Sequence, residues 1–315
     1  MRRAVRAELG RGSLLVACSG GADSLALAAA VAFEAPRAGV AAGLVTVDHG
    51  LQAGSADQAA RVAAIGHELG LDPVLTLDAE VGSTGGPEAA ARAARYAALD
   101  EVAERLGADV LLGHTLDDQA ETVLLGLGRG SGPRSIAGMA AVDGRYVRPL
   151  LGIRRSTTEA ACAALGLTPW SDPHNIDPRF QRVRLRTEVL PLLDDVLQGG
   201  VVPALARTAD LLRDDLEALD VWAATEVVRA STPSDASGGG QLEVAGLIDL
   251  PRAVRTRVLR AWAVRVGAAP LSAGHTAALD ALITDWHGQG PVPLPGGVHV
   301  FRASGRLEAE PHEQE

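Results

Sequence analysis

Leu14-Leu15-Val16-Ala17-Cys18-Ser19-Gly20-Gly21-Ala22-Asp23-Ser24 is the stretch that decides the fold. Four apolar residues read as a short strand, two glycines as a tight turn, and the Ala/Leu-rich run from Ser24 as a helix. Glycines let backbone N–H groups approach an anion closely, and the following helix turns its positive end toward it. An ordinary strand-to-helix turn would account for Gly20-Gly21 alone; Asp23 and Ser24 shift the reading to a nucleotide-phosphate loop. It is not a Walker A loop, which ends in Gly-Lys-Ser/Thr. The chain has no lysine, so its 29 basic residues are all arginine. Phosphates bound here must then be held by backbone, hydroxyls, arginine and a metal.

The rest of the composition bounds the protein class. At 315 residues the chain can hold two domains. It is 47% hydrophobic but 3% aromatic, so its core is built from Ala, Leu and Val. A net charge of −10 argues against a general nucleic-acid coat or a membrane-surface binder, and leaves room for a local arginine patch. Cys18 and Cys162 have neither metal-type spacing nor a disulfide framework. With no signal-peptide pattern and no apolar run long enough to span a bilayer, a cytoplasmic protein is expected.

From 14 to 150, short apolar runs alternate with helical stretches. Strands are expected at Leu14–Ala17, Gly43–Val47, Val74–Leu77, Asp109–Gly113 and Tyr146–Leu150. Helices are expected near 24–33, 55–70, 87–106 and 117–125. This alternation predicts an α/β fold, a doubly wound parallel sheet with both faces covered. Ser156 and Glu159 form a capping-box pattern for a helix to about Leu165. Further helices are expected over 185–197, 204–230, 251–266 and 272–286. Residues 231–240 read as a flexible loop, and Pro291 to Glu310 as short strands. Gly199-Gly200 and Pro203 mark a boundary, giving domains 1–198 and 199–315, the second smaller and mainly helical with a short β tail.

Ligands of open parallel sheets bind beyond the carboxyl ends of the strands, and four polar clusters fall there. They are Ser19–Ser24, then Asp48-His49-Gly50-Leu51, then Glu88, Arg92, Arg95 and Tyr96, then His114 through Asp117-Asp118 to Glu121 and Thr122. Each has a plainer explanation. Asp48-His49-Gly50 could be a strand-ending turn, the Glu88–Tyr96 face a solvated salt-bridge stripe, and one of Asp117 and Asp118 a helix cap. Their coincidence behind four successive strands is what favours a site. In it, Arg92 and Arg95 would face phosphate oxygens, and the acids would serve a magnesium ion or act as a general base.

The Ser19–Ser24 loop resembles the signature of the N-type ATP pyrophosphatases, the PP-loop enzymes, whose fold is adenine nucleotide alpha hydrolase-like. The remaining motifs resemble the tRNA(Ile)-lysidine synthetase family within them. These are Asp48 to Leu51, Glu88 to Tyr96, His114 to Thr122, Arg129-Gly130-Ser131-Gly132 leading to Gly138-Met139, Arg148-Pro149-Leu150-Leu151, and Asp172-Pro173-His174-Asn175 to Arg186. The motifs cover about 14–190. His174 stands where a serine is common and Val183 where an asparagine is common.

The resemblance implies a ligase that uses ATP and Mg²⁺. ATP would adenylate O2 of the wobble cytidine, position 34, of a tRNA(Ile) with a CAU anticodon, and free lysine would displace AMP to give lysidine. On this resemblance the nucleotide falls to Ser19, Gly20, Gly21, Ala22, Asp23, Ser24, Asp48, His49 and His114. Catalysis falls to Asp118, then Asp117, with Arg92 and Arg95. Magnesium falls to Asp23 and Asp118, and the substrate RNA to Glu88, Arg129, Arg134, Arg182, Arg184 and Arg186, with Arg179 on the same track. A homodimer is also expected from the resemblance. A PP-loop tRNA thiolase would need paired cysteines, an amidotransferase relative would need an ammonia-supplying domain, and a nucleotide-binding module without catalysis would need the loop but neither the arginines nor the acids.

Overall fold

The computed structural model describes residues 1–48, 50, 54–78, 87–130, 132–170, 177–232 and 240–311. They form two compact units, Met1–Leu211 and Leu212–Glu315. The division falls inside the helix Val201–Ala230, which begins directly after Gly199-Gly200.

The first unit is built on a six-stranded sheet. Its strands are β1 (Leu14–Ala17), β2 (Ala42–Asp48), β3 (Val74–Asp78), β4 (Asp109–Leu112), β5 (Val142–Asp143) and β6 (Tyr146–Val147), in the order β3-β2-β1-β4-β6-β5. All pairs are parallel except β5 with β6. The central strand shows why its sequence is unbroken in its apolarity. Leu14 and Val16 pack on one face with Leu25 and Leu27 of α2 (Ala22–Ala38) and Val62 of α3 (Ser55–Glu68). Leu15 and Ala17 pack on the other with Leu99, Val102 and Ala103 of α4 (Pro87–Leu106). A strand covered on both faces has no polar side to display.

Two expectations are corrected at the sheet's end. The fifth parallel strand stops at Val147, not Leu150, because Arg148 leaves the ladder. Its N–H donates to the Ala141 carbonyl (2.8 Å) and its Nη1 to the Ala140 carbonyl (2.9 Å). The antiparallel β5 was not expected; Gly144, at φ 57°, makes its reversal. An N-terminal helix, α1 (Arg2–Glu8), was also unforeseen; it buries Val5 and sends Arg6 to the buried Glu34 at 2.8 Å. Beyond the sheet come α5 (Leu116–Arg129), α6 (Pro133–Ile136), α7 (Arg155–Ala164), and a continuous run of α8 (Gln181–Arg184), a π-turn at Leu185–Val189 and α9 (Leu190–Val196).

The second unit contains the distal part of α10 (Val201–Ala230), α11 (Arg252–Arg265) and α12 (Ala273–Thr284). They accompany an antiparallel sheet of β7 (Ser231–Thr232), β8 (Gln241–Glu243), β9 (Val292–Leu294), β10 (Val298–Ala303) and β11 (Arg306–Pro311), ordered β7-β8-β11-β10-β9. The β content therefore exceeds the expected tail. Ser231 and Thr232, expected in a flexible loop, pair with Leu242 and Gln241; 233–239 lie outside the described residues. Trp262, Leu242, Leu247, Leu279, Val300 and Leu307 form the core. Among the described residues no single helix is long and apolar enough to cross a membrane.

Candidate active site

The loop after β1 is held by its own hydroxyls. Ser24 Oγ accepts from the Ser19 N–H (3.2 Å) and donates to the Gly21 carbonyl (3.0 Å). Gly21 is the N-cap of α2 and offers no side chain, so nothing of its own covers the positive end of the helix. Gly20 has φ +84°, and a Cβ there would lie 2.2 Å from Gln58 Nε2. Gly113, at the end of β4, lies so close that a Cβ would meet the backbone of Asp23 and Ser24 at 3.0 Å. The two strand ends thus converge, and a cavity of about 600 Å³ opens there. Its lining includes Ser19, Asp23, Arg95, His114, Asp118 and Arg186. That volume lies within the range of small-molecule sites.

The acids of this cavity are organised by a residue the sequence reading did not single out. Arg155, the first residue of α7, donates from Nη2 to Asp118 (2.6 Å), from Nε to Asp23 (3.3 Å) and from Nη1 to Glu121 (3.3 Å). Glu121 is fully buried and also accepts from Arg186 Nε at 2.9 Å, while Arg182 lies 3.6 Å away. The three carboxylates raise the Arg155 pKa despite the opposing effect of burial. Asp23 is pushed upward by burial and by the Asp118 charge, against a hydrogen bond from Thr158 and the Arg155 cation.

Asp117 and Asp118 separate cleanly. Thr115 is the N-cap of α5, and Asp118 completes a capping box. Asp118 Oδ2 accepts from the Thr115 N–H (2.8 Å) and Oγ1 (2.7 Å), which leaves Oδ1 toward Arg155. Asp117 faces away from the cavity lining. It accepts from the Arg155 N–H (2.8 Å) and from Arg154 Nη2 (3.0 Å), which hold its carboxyl below the ordinary value against the effect of burial. It thereby caps α7 from outside. The Ser156–Glu159 capping box is accordingly absent: α7 begins at Arg155 with Arg154 as N-cap and no side-chain cap of its own.

His114 has a buried Nδ1 with no hydrogen-bond partner among the described residues. Burial, aided by Arg95, lowers its pKa to about 4 against the pull of Asp118, so the ring is neutral near pH 7. A neutral imidazole with a free ring nitrogen can meet a donor or an acceptor of a bound nucleotide. Burial also lowers the pKa of Arg95.

Other expected residues stand apart. Arg92 is exposed and stacks over the Tyr96 ring (4.9 Å), which makes an edge contact with Tyr146; Arg92 is not in the cavity lining. Asp48 receives the Gly50 N–H at 2.9 Å in a local turn and is likewise not in the lining. His49, Leu51, Ser131 and Asp172 to Asn175 lie outside the described residues, as does the Glu88 side chain. Of the arginine track, Arg182 and Arg186 turn to Glu121, whereas Arg179 and Arg184 bind Asp177 and Glu188 at the surface. Arg129 and Arg134 are exposed. Val183, the departure from the family pattern, is a buried apolar residue.

Magnesium was expected between Asp23 and Asp118. Both acids already share the Arg155 guanidinium, and the described residues hold no group of three His, Cys, Asp or Glu side chains arranged for a metal ion. In this arrangement the pair does not fit a protein-held magnesium. The cysteines are equally unsuited to sulfur chemistry. Both are buried and free; burial raises the Cys18 pKa and pushes Cys162 up to about 11, so neither is a thiolate near neutral pH.

Arg155 is the main residue missed. Glu121 was read as one acid of the His114–Thr122 cluster, but not as the buried partner of Arg155 and Arg186. Arg155 had one signal, its place at the same sheet edge just after β6.

Comparison with known proteins agrees with this geometry. A PP-loop domain family model matches residues 2–193, and a TilS substrate binding domain model matches 242–308. The chain is 56% identical to a tRNA(Ile)-lysidine synthase of Thermobifida fusca (strain YX), over 98% of this chain and 94% of that protein. It is 59% identical to one of Streptomyces coelicolor, over 93% of this chain and 84% of that protein. Among solved structures, the U34-tRNA thiolase NcsA from Methanococcus maripaludis superposes with a TM-score of 0.55 at 20% identity, over 67% of this chain and 78% of that one. That likeness concerns the fold.

Proposed function

The chain belongs to the tRNA(Ile)-lysidine synthase family, ATP-using ligases built on a PP-loop domain, and from that premise we propose how its own residues carry the reaction. The reaction is ATP-dependent formation of lysidine on tRNA(Ile). The observation that supports the assignment most is that one cavity is lined by the PP-loop, Arg95, His114, Asp118 and Arg186 together.

In the first step, O2 of the cytidine attacks the α-phosphorus of ATP, and the bond to the bridging oxygen of pyrophosphate breaks. Negative charge moves onto the leaving group, so fixed donors must await it. The first-turn N–H groups of α2, the hydroxyl of Ser19 and Arg95 supply them, while Ser24 holds the loop in shape. His114 meets the adenosine portion through its free Nδ1. Arg92, outside the cavity lining, is left to the approach path. Magnesium stays in this reading as the counter-ion carried by ATP, and no step here is routed through it.

In the second step the lysine ε-nitrogen attacks C2, a C–N bond forms, and O2 departs with AMP. The amine must be neutral to attack, and its ordinary pKa is about 10.4. Asp118 is the residue we assign to orient it and accept its proton. Its Oδ2 is fixed by Thr115, and only Oδ1 faces a cation, at present Arg155. Asp117, the second candidate for this role, is committed to Arg154 and the end of α7. Asp118 is thus preferred.

Residues 1–198 are assigned the chemistry and 199–315 the substrate RNA, in the cytoplasm where ATP and tRNA meet. Arg129, Arg134, Arg182, Arg184 and Arg186 are assigned to the RNA backbone. The test is transfer of labelled lysine to a tRNA(Ile) CAU transcript with ATP and Mg²⁺, with Asp118→Asn alongside. Label with the wild type and none with the variant supports both reaction and site. Pyrophosphate release without label means the second substrate is wrong. Neither event means a nucleotide-binding module.

A further inference from the structure

A second cavity, of about 420 Å³, lies along the two helical segments that supply Asp118 and Arg186 to the first. Leu124 and Leu125 of α5 line it, three and four residues beyond Glu121; Leu185 and Val189 of the π-turn line it from the other segment. Arg182 and Arg186, which face Glu121, flank Leu185 on that segment. The cavity is thus displaced along α5 by about one helical turn, ~5.4 Å, from Glu121 and by about two turns from Asp118. Its walls are aliphatic, and its polar lining residues are Arg129, Gln181 and Arg184. All three are exposed, and Arg184 is paired with Glu188 at 2.9 Å, which leaves Arg129 and Gln181 for a ligand.

This chemistry suits a nucleobase turned out of a single-stranded loop. Such bases lie against apolar or aromatic walls and are read at their edges. A primary amide is the side chain that matches the N6/N7 edge of adenine, and an arginine beside it suits the phosphate. The nearest adenine in a CAU anticodon follows the reacting cytidine. We propose that this cavity binds that adenine, with Gln181 reading its edge and Arg129 holding its phosphate. The assignment rests on the reading that the chain modifies a CAU anticodon. It makes the enzyme select its second anticodon base as well as the first.

The test uses the full chain and a tRNA(Ile) transcript with fluorescent 8-vinyladenosine, which keeps the N6/N7 edge, in place of that adenosine. Binding to the wild type unstacks the probe and raises its emission; Leu185→Glu abolishes the rise, while a probe elsewhere in the loop still responds. Independently, the wild type prefers CAU over CGU transcripts by roughly tenfold or more in kcat/KM, and Gln181→Leu removes that preference. An unchanged probe signal in a folded Leu185→Glu protein, or a preference that survives Gln181→Leu, overturns the cavity's role. Lysidine missing from the natural CAU transcript with wild-type enzyme overturns the functional reading itself, and the cavity's role with it.

Discussion

Arg155 Nη2 donates to Asp118 Oδ1 at 2.6 Å, joining the first residue of α7 to the first turn of α5. The same guanidinium reaches Asp23 in α2 and Glu121 one turn on. One cation therefore ties three elements of the site and offsets the repulsion of three carboxylates. Breaking such a pair by removing one partner leaves uncompensated buried charge and costs about 3–5 kcal/mol. Arg155→Met is expected to lose about that much in urea denaturation, together with most turnover. Arg155→Lys keeps the charge but cannot reach three acids with a rigid fork. It is expected to recover part of the stability and less of the activity.

Asp117 and Asp118 are adjacent in sequence and opposite in consequence. Asp117→Ala removes the cap of α7 and the Arg154 pair, a loss of about 1–2 kcal/mol, while keeping most of the turnover. Asp118→Asn keeps the shape but loses the charge that faces the amine and one of the two acceptors that serve Thr115 and Arg155, so lysine transfer is abolished and the melting temperature falls as well. Thermal melts paired with lysine incorporation decide this. Equal loss of activity in the two variants would return Asp117 to the reaction.

The depressed His114 pKa gives a signed pH dependence. Its folded value is about 4, against about 6.5 for a free imidazole. Between these the unfolded chain binds more protons, so stability falls as pH drops from about 6.5 toward 4, by about 3 kcal/mol in all, and is fully present above that window. Urea midpoints measured across it are expected to slope less steeply for His114→Gln than for the wild type. Parallel slopes would mean the ring is not desolvated as described.

Gly20 is required on two counts that can be separated. A Cβ would meet Gln58 Nε2, the end of a flexible side chain, so that contact can relax. The φ of +84° cannot relax, and a left-handed conformation costs an L-residue about 1–2 kcal/mol. Gly20→Ala is expected to weaken ATP binding in calorimetry, and adding Gln58→Ala should restore little of it. Full restoration would place the requirement in the contact instead.

What the sequence made legible follows from where local chemistry determines structure. The β1 run and Ser19–Ser24 carry their own instructions: buried strands are apolar throughout, and only glycine tolerates the turn at position 20. The acidic motif His114–Thr122 was legible as a site, but not which acid does what. That is set by Thr115 and Arg155, one of them 37 residues away. The Ser156–Glu159 pattern was locally sound, yet a carboxylate from another helix took over the capping. Arg92 and Arg95 share a stretch of α4 and both lie over the Tyr96 ring, and only the fold shows that Arg95 alone also lines the cavity. The β7–β8 pairing was invisible because two- and three-residue strands carry no periodicity.

The second unit holds a buried pair whose role can be isolated. Arg255 donates from Nε to Asp280 at 2.6 Å and from Nη1 to the Leu250 carbonyl at 2.7 Å, tying α11 to α12 and to the turn before α11. Both side chains are buried. Asp280→Leu alone strands a buried guanidinium and costs about 3–5 kcal/mol, while Arg255→Met leaves the buried carboxylate with only the exposed Arg252, 3.9 Å away, and costs less. Replacing both with apolar side chains of similar size removes the charges together and is often neutral or stabilising. The double variant is therefore expected to be more stable than either single one. Trp222, Trp262 and Trp286 lie in this unit, so their fluorescence follows its unfolding. If the pair serves only the fold, the double variant also binds the tRNA(Ile) transcript as the wild type does. A stable double variant with weakened RNA binding would instead mean that Arg255 sets the surface on which the RNA rests.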